Sequence, residues 1–215
     1  MRGHPTPHKG IIPLTLTFVF KFQFAKSPIK KQNLHLTKRY YYVIIINGEK
    51  MEQLRIKTQN NPIKSCAFTG HRQLGEDFSP KRLWELIEGY IKNGATDFYN
   101  GMAQGFDLLA AEAVIMLKKR YQNIRLIACI PCYNQEKAYS DTDKARYVAI
   151  LQKADEKVLI SDEYHRGCMM QRNQYMVDRA DVLIAYQNKD KGGSANTVKY
   201  CKKKYPDKDI AYVNI

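Results

Sequence analysis

From residue 64 onward, the apolar positions fall into two alternating rhythms. Short continuous apolar runs occupy residues 65–69, 96–100, 124–130, 157–160, 181–186 and 209–213. Runs of this length that do not alternate with polar residues are expected of strands buried on both faces. Between them the spacing changes to that of helices. Leu83, Trp84, Leu86, Ile87, Tyr90 and Ile91 form one apolar stripe, with Ser79 as its cap, Pro80 in its first position and Asn93-Gly94 at its end. Further helices are expected over 104–120, 143–153, 169–179 and 196–204. Strands that alternate with helices predict a mainly parallel sheet with helices on both faces, the doubly wound, Rossmann-like α/β class. In such folds ligands bind beyond the carboxyl ends of the strands, where the strand order reverses.

Residues 1–50 break this pattern. They contain an apolar run over 11–20 and a tyrosine- and isoleucine-rich run over 40–46 with no evident pairing partner nearby. The first run has the outline of a signal peptide, but no small-x-small cleavage site follows it. The segment is rich in Lys, Asn, Ile, Phe and Tyr, as translated AT-rich DNA would be, and 47–50 can be encoded by a purine-rich run just before the Met51 codon. Residues 1–50 are therefore read as a poorly packed N-terminal extension, or as upstream sequence with Met51 the true start, and 51–215 as the folded domain.

Charge sharpens this division. The formal net charge is +14, but residues 1–50 hold nine Lys/Arg against the single acid Glu49. Residues 51–215 hold 26 Lys/Arg and 20 Asp/Glu, a modest surplus for a solvated surface. No stripe of basic residues interleaved with aromatics stands out, so the charge does not by itself indicate nucleic acid. Five cysteines at irregular spacing make no disulfide framework and point to a reducing cytoplasm. No apolar run approaches the ~20 residues of a membrane span. Cys129-Ile130-Pro131-Cys132 has redox spacing, but Cys129 lies inside an apolar strand and no helix clearly opens at Cys132, so both are read as structural. No set of ligands for a metal is evident.

The unusual polar stretches follow the strands. Thr69-Gly70-His71-Arg72 follows the first and Asn100-Gly101 with Gly105 and Asp107 the second. The segment 161–167 follows the fourth, and 188–194, ending in Gly192-Gly193-Ser194, the fifth. In a parallel sheet these loops share one rim. Gly192-Gly193-Ser194 opens a helix and suits a phosphate. Gly101 and Gly105 fit no dinucleotide or Walker spacing, and Asp107 either complements a helix dipole or meets a ligand. Arg172-Asn173 lies near a helix start, and Glu112 lies within a helix.

Taken together, Thr69-Gly70-His71-Arg72, Gly101-x-x-x-Gly105-x-Asp107 with Ala110-Ala111-Glu112, Ile130-Pro131 with Asn134-Gln135-Glu136, Arg172-Asn173-x-x-Met176-Val177-Asp178, and Gly192-Gly193-Ser194 resemble the YpsA-like branch of the SLOG superfamily. That superfamily joins the DNA-processing protein DprA/Smf to the LOG phosphoribohydrolases. The resemblance covers roughly 64–215. It implies a Rossmann-like fold and a site for a nucleotide or nucleotide-derived ligand, such as ADP-ribose or NAD, in a sensor or regulatory protein. The residues it implies for binding are Thr69, Gly70, His71, Arg72, Gly101, Gly105, Asp107, Arg172, Asn173, Gly192, Gly193 and Ser194. LOG enzymes keep a catalytic glutamate after their glycine-rich motif, and Lys199 stands at that position here. If this chain hydrolyses an N-glycosidic bond, the candidate acids are Asp107 and Glu112. DprA-like binding of single-stranded DNA is a third expectation, and a homo-oligomer a further one.

Overall fold

The computed structural model describes residues 45–46, 49–50 and 62–214. Ile45–Ile46 (β1) and Glu49–Lys50 (β2) pair antiparallel, Ile45 opposite Lys50 and Ile46 opposite Glu49. The last two residues of the 40–46 run thus pair with Glu49 and Lys50. The rest of that run, the 11–20 run and Met51 lie outside the described residues.

Pro62–Ile215 forms a compact unit of its own. Six strands build its sheet: β3 (Ser65–Thr69), β4 (Asp97–Asn100), β5 (Arg125–Ile130), β6 (Glu156–Leu159), β7 (Val182–Ala185) and β8 (Asp209–Tyr212). Every pairing among them is parallel, and the order is β6-β5-β4-β3-β7-β8. From β3 the chain steps outward through β4, β5 and β6, then returns to the other side of β3 for β7 and β8. The order therefore reverses between β3 and β7. These two strands are buried at every residue, whereas edge strands β6 and β8 carry exposed charged residues. Unbroken apolar runs belong at the centre of such a sheet, and charges protect its open edges.

Five helices cover the two faces: α1 (Pro80–Lys92), α2 (Phe106–Lys118), α3 (Asp141–Lys153), α4 (Cys168–Arg179) and α5 (Gly193–Lys204). The pleat sorts the strand residues between them. Cys66, Phe68, Leu126, Ala128, Val182 and Ile184 pack with Leu83 and Ile87 of α1, Leu108 and Val114 of α2 and Ile150 of α3. Their neighbours Ala67, Ile127, Cys129, Leu183 and Ala185 pack on the opposite face with Met176 and Val177 of α4 and Val198 and Cys201 of α5. Each fully buried Phe, Leu, Ile or Met side chain contributes about 1.5–3 kcal/mol through removal from water.

How the helices begin matters for the site. Ser79 Oγ accepts from Arg82 N–H at α1 and Ser140 Oγ from Asp143 N–H at α3, each the N-cap of its helix. At α2, α4 and α5 the N-cap is instead a glycine, Gly105, Gly167 or Gly192, with no side-chain cap. The first turns of these three helices keep N–H groups free of side-chain partners.

Candidate functional site

Four of the loops at the carboxyl rim meet around the end of β3. Aromatic side chains build the floor. Phe98 and Phe68 stack at 6.2 Å, Phe68 meets Phe106 edge-on, and Phe106 stacks on Tyr186 at 6.1 Å. His71 then stands edge-on to Tyr186 at 5.8 Å, so the core column runs directly into the Thr69–Arg72 loop.

Tyr186 ends this column with a wholly buried ring and an engaged hydroxyl. It donates to Asp77 Oδ1 at 2.7 Å and accepts from Gly75 N–H and Asn188 Nδ2, both at 2.8 Å. Asn188 and Asn214 also donate to the Asp77 carboxylate. These hydrogen bonds, Tyr186's the largest, hold Asp77 below the usual carboxylate range. The loops after β3, β7 and β8 are thereby tied together. Tyr186→Phe will cost about 1–3 kcal/mol, because it leaves Gly75 N–H and Asn188 without their shared partner. Urea unfolding will measure the loss, and an unchanged midpoint would show that the hydroxyl is not a tie.

The loop after β4 makes the tightest approach. A Cβ on Gly101 would lie 2.5 Å from Arg172 Nη1 and 2.8 Å from Asp107 Oδ2, so this bare α-carbon has both charged groups against it. Asp107 and Arg172 are 5% and 4% exposed. Burial pushes the Asp107 carboxyl up to about 6, against the pull of Arg172, of the Ala103 N–H that Oδ2 accepts at 3.2 Å, and of Arg72. At Gly105, φ is +82° and a Cβ would lie 2.1 Å from Arg72 O, so the loops after β3 and β4 touch backbone to backbone. Phe106 N–H donates to His71 O at 3.2 Å beside this contact.

On the other side of β3, the first turn of α5 faces the same loop. Ser194 Oγ lies 3.1 Å from His71 Nδ1 and 3.2 Å from Nε2. Burial, with the nearby Lys189 charge, lowers the His71 pKa against the opposing effect of Asp77, so the ring is neutral at neutral pH. Thr197 Oγ1 donates to Gly193 O at 2.8 Å and accepts from Asn173 Nδ2 at 2.7 Å. Asn173 Oδ1 in turn accepts from Arg172 Nε at 2.7 Å. Arg172 Nη1 reaches Cys129 O at 3.4 Å. One chain of hydrogen bonds therefore runs from the glycine-rich start of α5 to the guanidinium beside Gly101 and Asp107.

Thr69, Gly70, His71, Gly101, Gly105, Asp107, Arg172, Gly193 and Ser194 thus converge on one rim, and Gly192 caps α5 with φ +105°. Asn173 serves this arrangement by linking Arg172 to α5, with both polar ends of its amide engaged. Arg72 contributes its backbone to the Gly105 contact and its charge to Asp107, with an exposed side chain. Glu112 lies further along α2, in a bidentate pair with Arg146 of α3 at 2.7 and 2.8 Å. Lys199 is exposed and donates to Asp190 O. The 161–167 loop is exposed at the far edge of the sheet. All five cysteines are buried and free, and burial, with the neighbouring Cys168 at the start of α4, raises the Cys132 pKa. Among the described residues no group of His, Cys, Asp and Glu could hold a metal ion, and no helix is long and apolar enough to cross a membrane. A cavity of about 400 Å³ lies elsewhere, between β6 and the outer face of α4, where Arg179 sits over the Tyr175 ring.

An open parallel sheet with two helix starts that lack side-chain caps on either side of its reversal point is the architecture of a Rossmann-like fold. The chain belongs to the YspA SLOG family, whose profile matches residues 78–215. It is 31% identical over 137 residues to the SPbeta prophage-derived protein YoqJ of Bacillus subtilis, covering 58% of this chain and 80% of that one. It is 30% identical over 154 residues to a UPF0398 protein of Halalkalibacterium halodurans, covering 71% and 75%. The UPF0398 protein YpsA of Bacillus subtilis is 28% identical over 144 residues, covering 61% and 80%. Among solved structures, DNA processing protein A of Helicobacter pylori, described for its single-stranded DNA binding mode, superposes with a TM-score of 0.52 at 22% identity. The match covers 70% of this chain and 65% of that one. DprA of Streptococcus pneumoniae gives 0.52 at 19% identity, over 70% and 50%. The likeness to these two is one of fold, and the chain spans less than two thirds of either.

Proposed function

We propose that the rim crevice binds a nucleotide or nucleotide-derived ligand, of the ADP-ribose or NAD kind, and that the protein acts as a sensor or regulator. The observation that carries this reading is the pairing of uncapped helix starts with buried charge. α2 and α5 begin on the strands flanking β3, each behind a glycine N-cap, and Arg172 and Asp107 are buried beside the Gly101 turn. Free N–H groups at a helix start donate to phosphate oxygens. Ser194 and neutral His71 add donors at the start of α5, Arg172 neutralises charge, and Asp107 accepts from ribose hydroxyls.

A second reading, hydrolysis of an N-glycosidic bond in a nucleotide, draws on the same Asp107. A carboxyl that titrates near 6 can act as acid or base near neutral pH. Single-stranded DNA binding is a third reading, prompted by the fold shared with DNA processing protein A.

A thermal-shift series with ADP-ribose, NAD, AMP and a thymidine oligonucleotide separates the three. A saturating nucleotide at about a hundredfold over its Kd stabilises the folded chain by about 2.7 kcal/mol, a shift of several degrees. Sensing requires that shift without turnover, hydrolysis requires released base, and DNA binding requires an oligonucleotide response that falls steeply with salt. The first reading is lost if no nucleotide moves the transition.

A further inference from the structure

Two buried amide oxygens among the described residues meet no hydrogen-bonding partner, and one of them, Gln135 Oε1, belongs to a side chain that grips the crevice loop. Gln135 opens the 3₁₀ turn Gln135–Ala138 that follows β5 and is 8% exposed. Its Nε2 donates to Gly101 O at 3.1 Å and to Tyr139 Oη at 2.9 Å. Tyr139 Oη then donates to Met102 O at 3.1 Å. Two successive carbonyls of the Gly101–Met102 corner are therefore held from the neighbouring loop. Asn100 holds the same corner from below: its Oδ1 accepts from Met102 N–H at 2.7 Å and its Nδ2 donates to Asp107 O at 2.8 Å.

The corner needs holding. Met102 has φ +57°, a region that side chains other than glycine rarely adopt, and its side chain is wholly buried. Asp107, against the same Gly101 α-carbon, is a desolvated carboxyl. The unmet Gln135 oxygen is a third unfavourable feature around this one corner. A glycine at 102 and an apolar side chain at 135 would together relieve two of the three. Local costs kept together in this way mark a conformation that function requires. The amide itself is explained by what it must do. It supplies two donors from one neutral group, where a lysine would add a second buried cation near Arg172, and it brings an unneeded acceptor with them.

We propose that Gln135 is a positioning residue: by gripping Gly101 O it fixes the left-handed corner, and through that corner it sets how Asp107 and Arg172 meet the ligand. The role rests on the crevice being the binding site, but one of its consequences is visible without any ligand. The groups facing Asp107 are Arg172, Arg72 and the Ala103 N–H, with Tyr139 also within its electrostatic reach. When the grip is lost the corner loosens and water reaches the carboxyl.

The test uses the full chain with Gln135→Met, which keeps the length of the side chain and removes both donors. The Asp107 carboxyl is titrated by carbon NMR in the ligand-free protein, and ADP-ribose affinity is measured by calorimetry. The Asp107 midpoint should fall by about half a unit or more as its desolvation is relieved. ADP-ribose binding should weaken about tenfold or more, the scale on which supporting residues act. Tyr139→Phe removes the hold on Met102 O and one acceptor of Gln135 Nε2, but leaves the Gln135 bond to Gly101 O in place. It should move the midpoint the same way by a smaller amount, and it serves as the deciding variant if Gln135→Met does not fold. An Asp107 midpoint unchanged from wild type in the folded variants overturns the proposal, whatever happens to stability. Should ADP-ribose fail to bind the wild-type chain, the ligand reading fails while the titration still decides the role of Gln135.

Discussion

Asp107→Asn will be more stable than the wild-type chain at pH 8, and the gain will vanish in acid. The sign follows from the raised pKa. In the unfolded chain the carboxyl titrates near 3.9, whereas in the folded chain burial moves it to about 6. Below both values it is protonated in either state and contributes nothing. As the pH rises between them, the unfolded chain ionises first and the folded state loses stability. Above the folded value the deficit is full, as much as about 3 kcal/mol for a shift of this size. Asparagine does not ionise, so it escapes the deficit, while its amide hydrogens facing Arg172 return part of the gain. A net stabilisation of about 1–3 kcal/mol is expected by urea unfolding at pH 8, with no difference near pH 3.5. The same variant should lose its thermal response to nucleotide. A variant that is less stable than wild type at pH 8, or equally displaced at both pH values, would mean that Asp107 is held ionised by Arg172 as an ordinary buried pair. A residue that lowers stability yet remains in the crevice is what a site, rather than a core, selects.

Gly105→Ala will be the most damaging small substitution at the rim. The new methyl would stand 2.1 Å from Arg72 O and 2.6 Å from Arg72 C, both backbone atoms that cannot rotate away. It would also force alanine to φ +82°. The left-handed conformation costs roughly 1–2 kcal/mol and the overpacking about 1–3 more. A loss of about 2–5 kcal/mol is therefore expected, a large part of the roughly 5–15 kcal/mol that holds a domain folded. Because Arg72 O adjoins the His71 O that receives Phe106 N–H, relaxation would move the Thr69–Arg72 loop and separate His71 from Ser194. Urea unfolding measures the first effect and nucleotide thermal shift the second. A loss under about 1 kcal/mol would mean that the two loops are free to part.

Some of this was legible along the chain because its causes are local. Ser79-Pro80 and Asn93-Gly94 bound α1 as their residue types dictate, since caps and glycine turns act within a few residues. The apolar runs gave the strands within a residue or two, and their lack of alternation gave a sheet covered on both faces. The helix starts were less secure where glycine does the capping. α5 begins at Gly193, three residues before its expected start, because Gly192 turns the chain and leaves Gly193 and Ser194 inside the first turn. The 3₁₀ turn after β5 had no sequence periodicity to reveal it. Tyr186 read only as the end of an apolar run, and Asn100 only as a polar residue where a strand meets its loop. Their polar atoms act on Asp77, Gly75, Met102 and Asp107, and no local pattern records such partners. Despite their redox spacing, Cys129 and Cys132 were read as structural from the apolar strand around Cys129, and both are buried and free, with the Cys129 thiol toward Ile127 O.

By itself the sequence determined the alternation of strand and helix, the parallel class that follows from it, and the set of glycines and polar residues placed just after the strands. Burial of apolar runs and short-range backbone preferences suffice for that, and both are written in neighbouring residues. The strand order, and with it the reversal between β3 and β7, was decided only in three dimensions. So were the contact of Gly101 with Arg172 and Asp107, the Ser194–His71 approach, and the withdrawal of Glu112 into its pair with Arg146. Each joins residues far apart in the chain, and its strength depends on distance and on exclusion of water, which exist only once the helices have closed over the sheet.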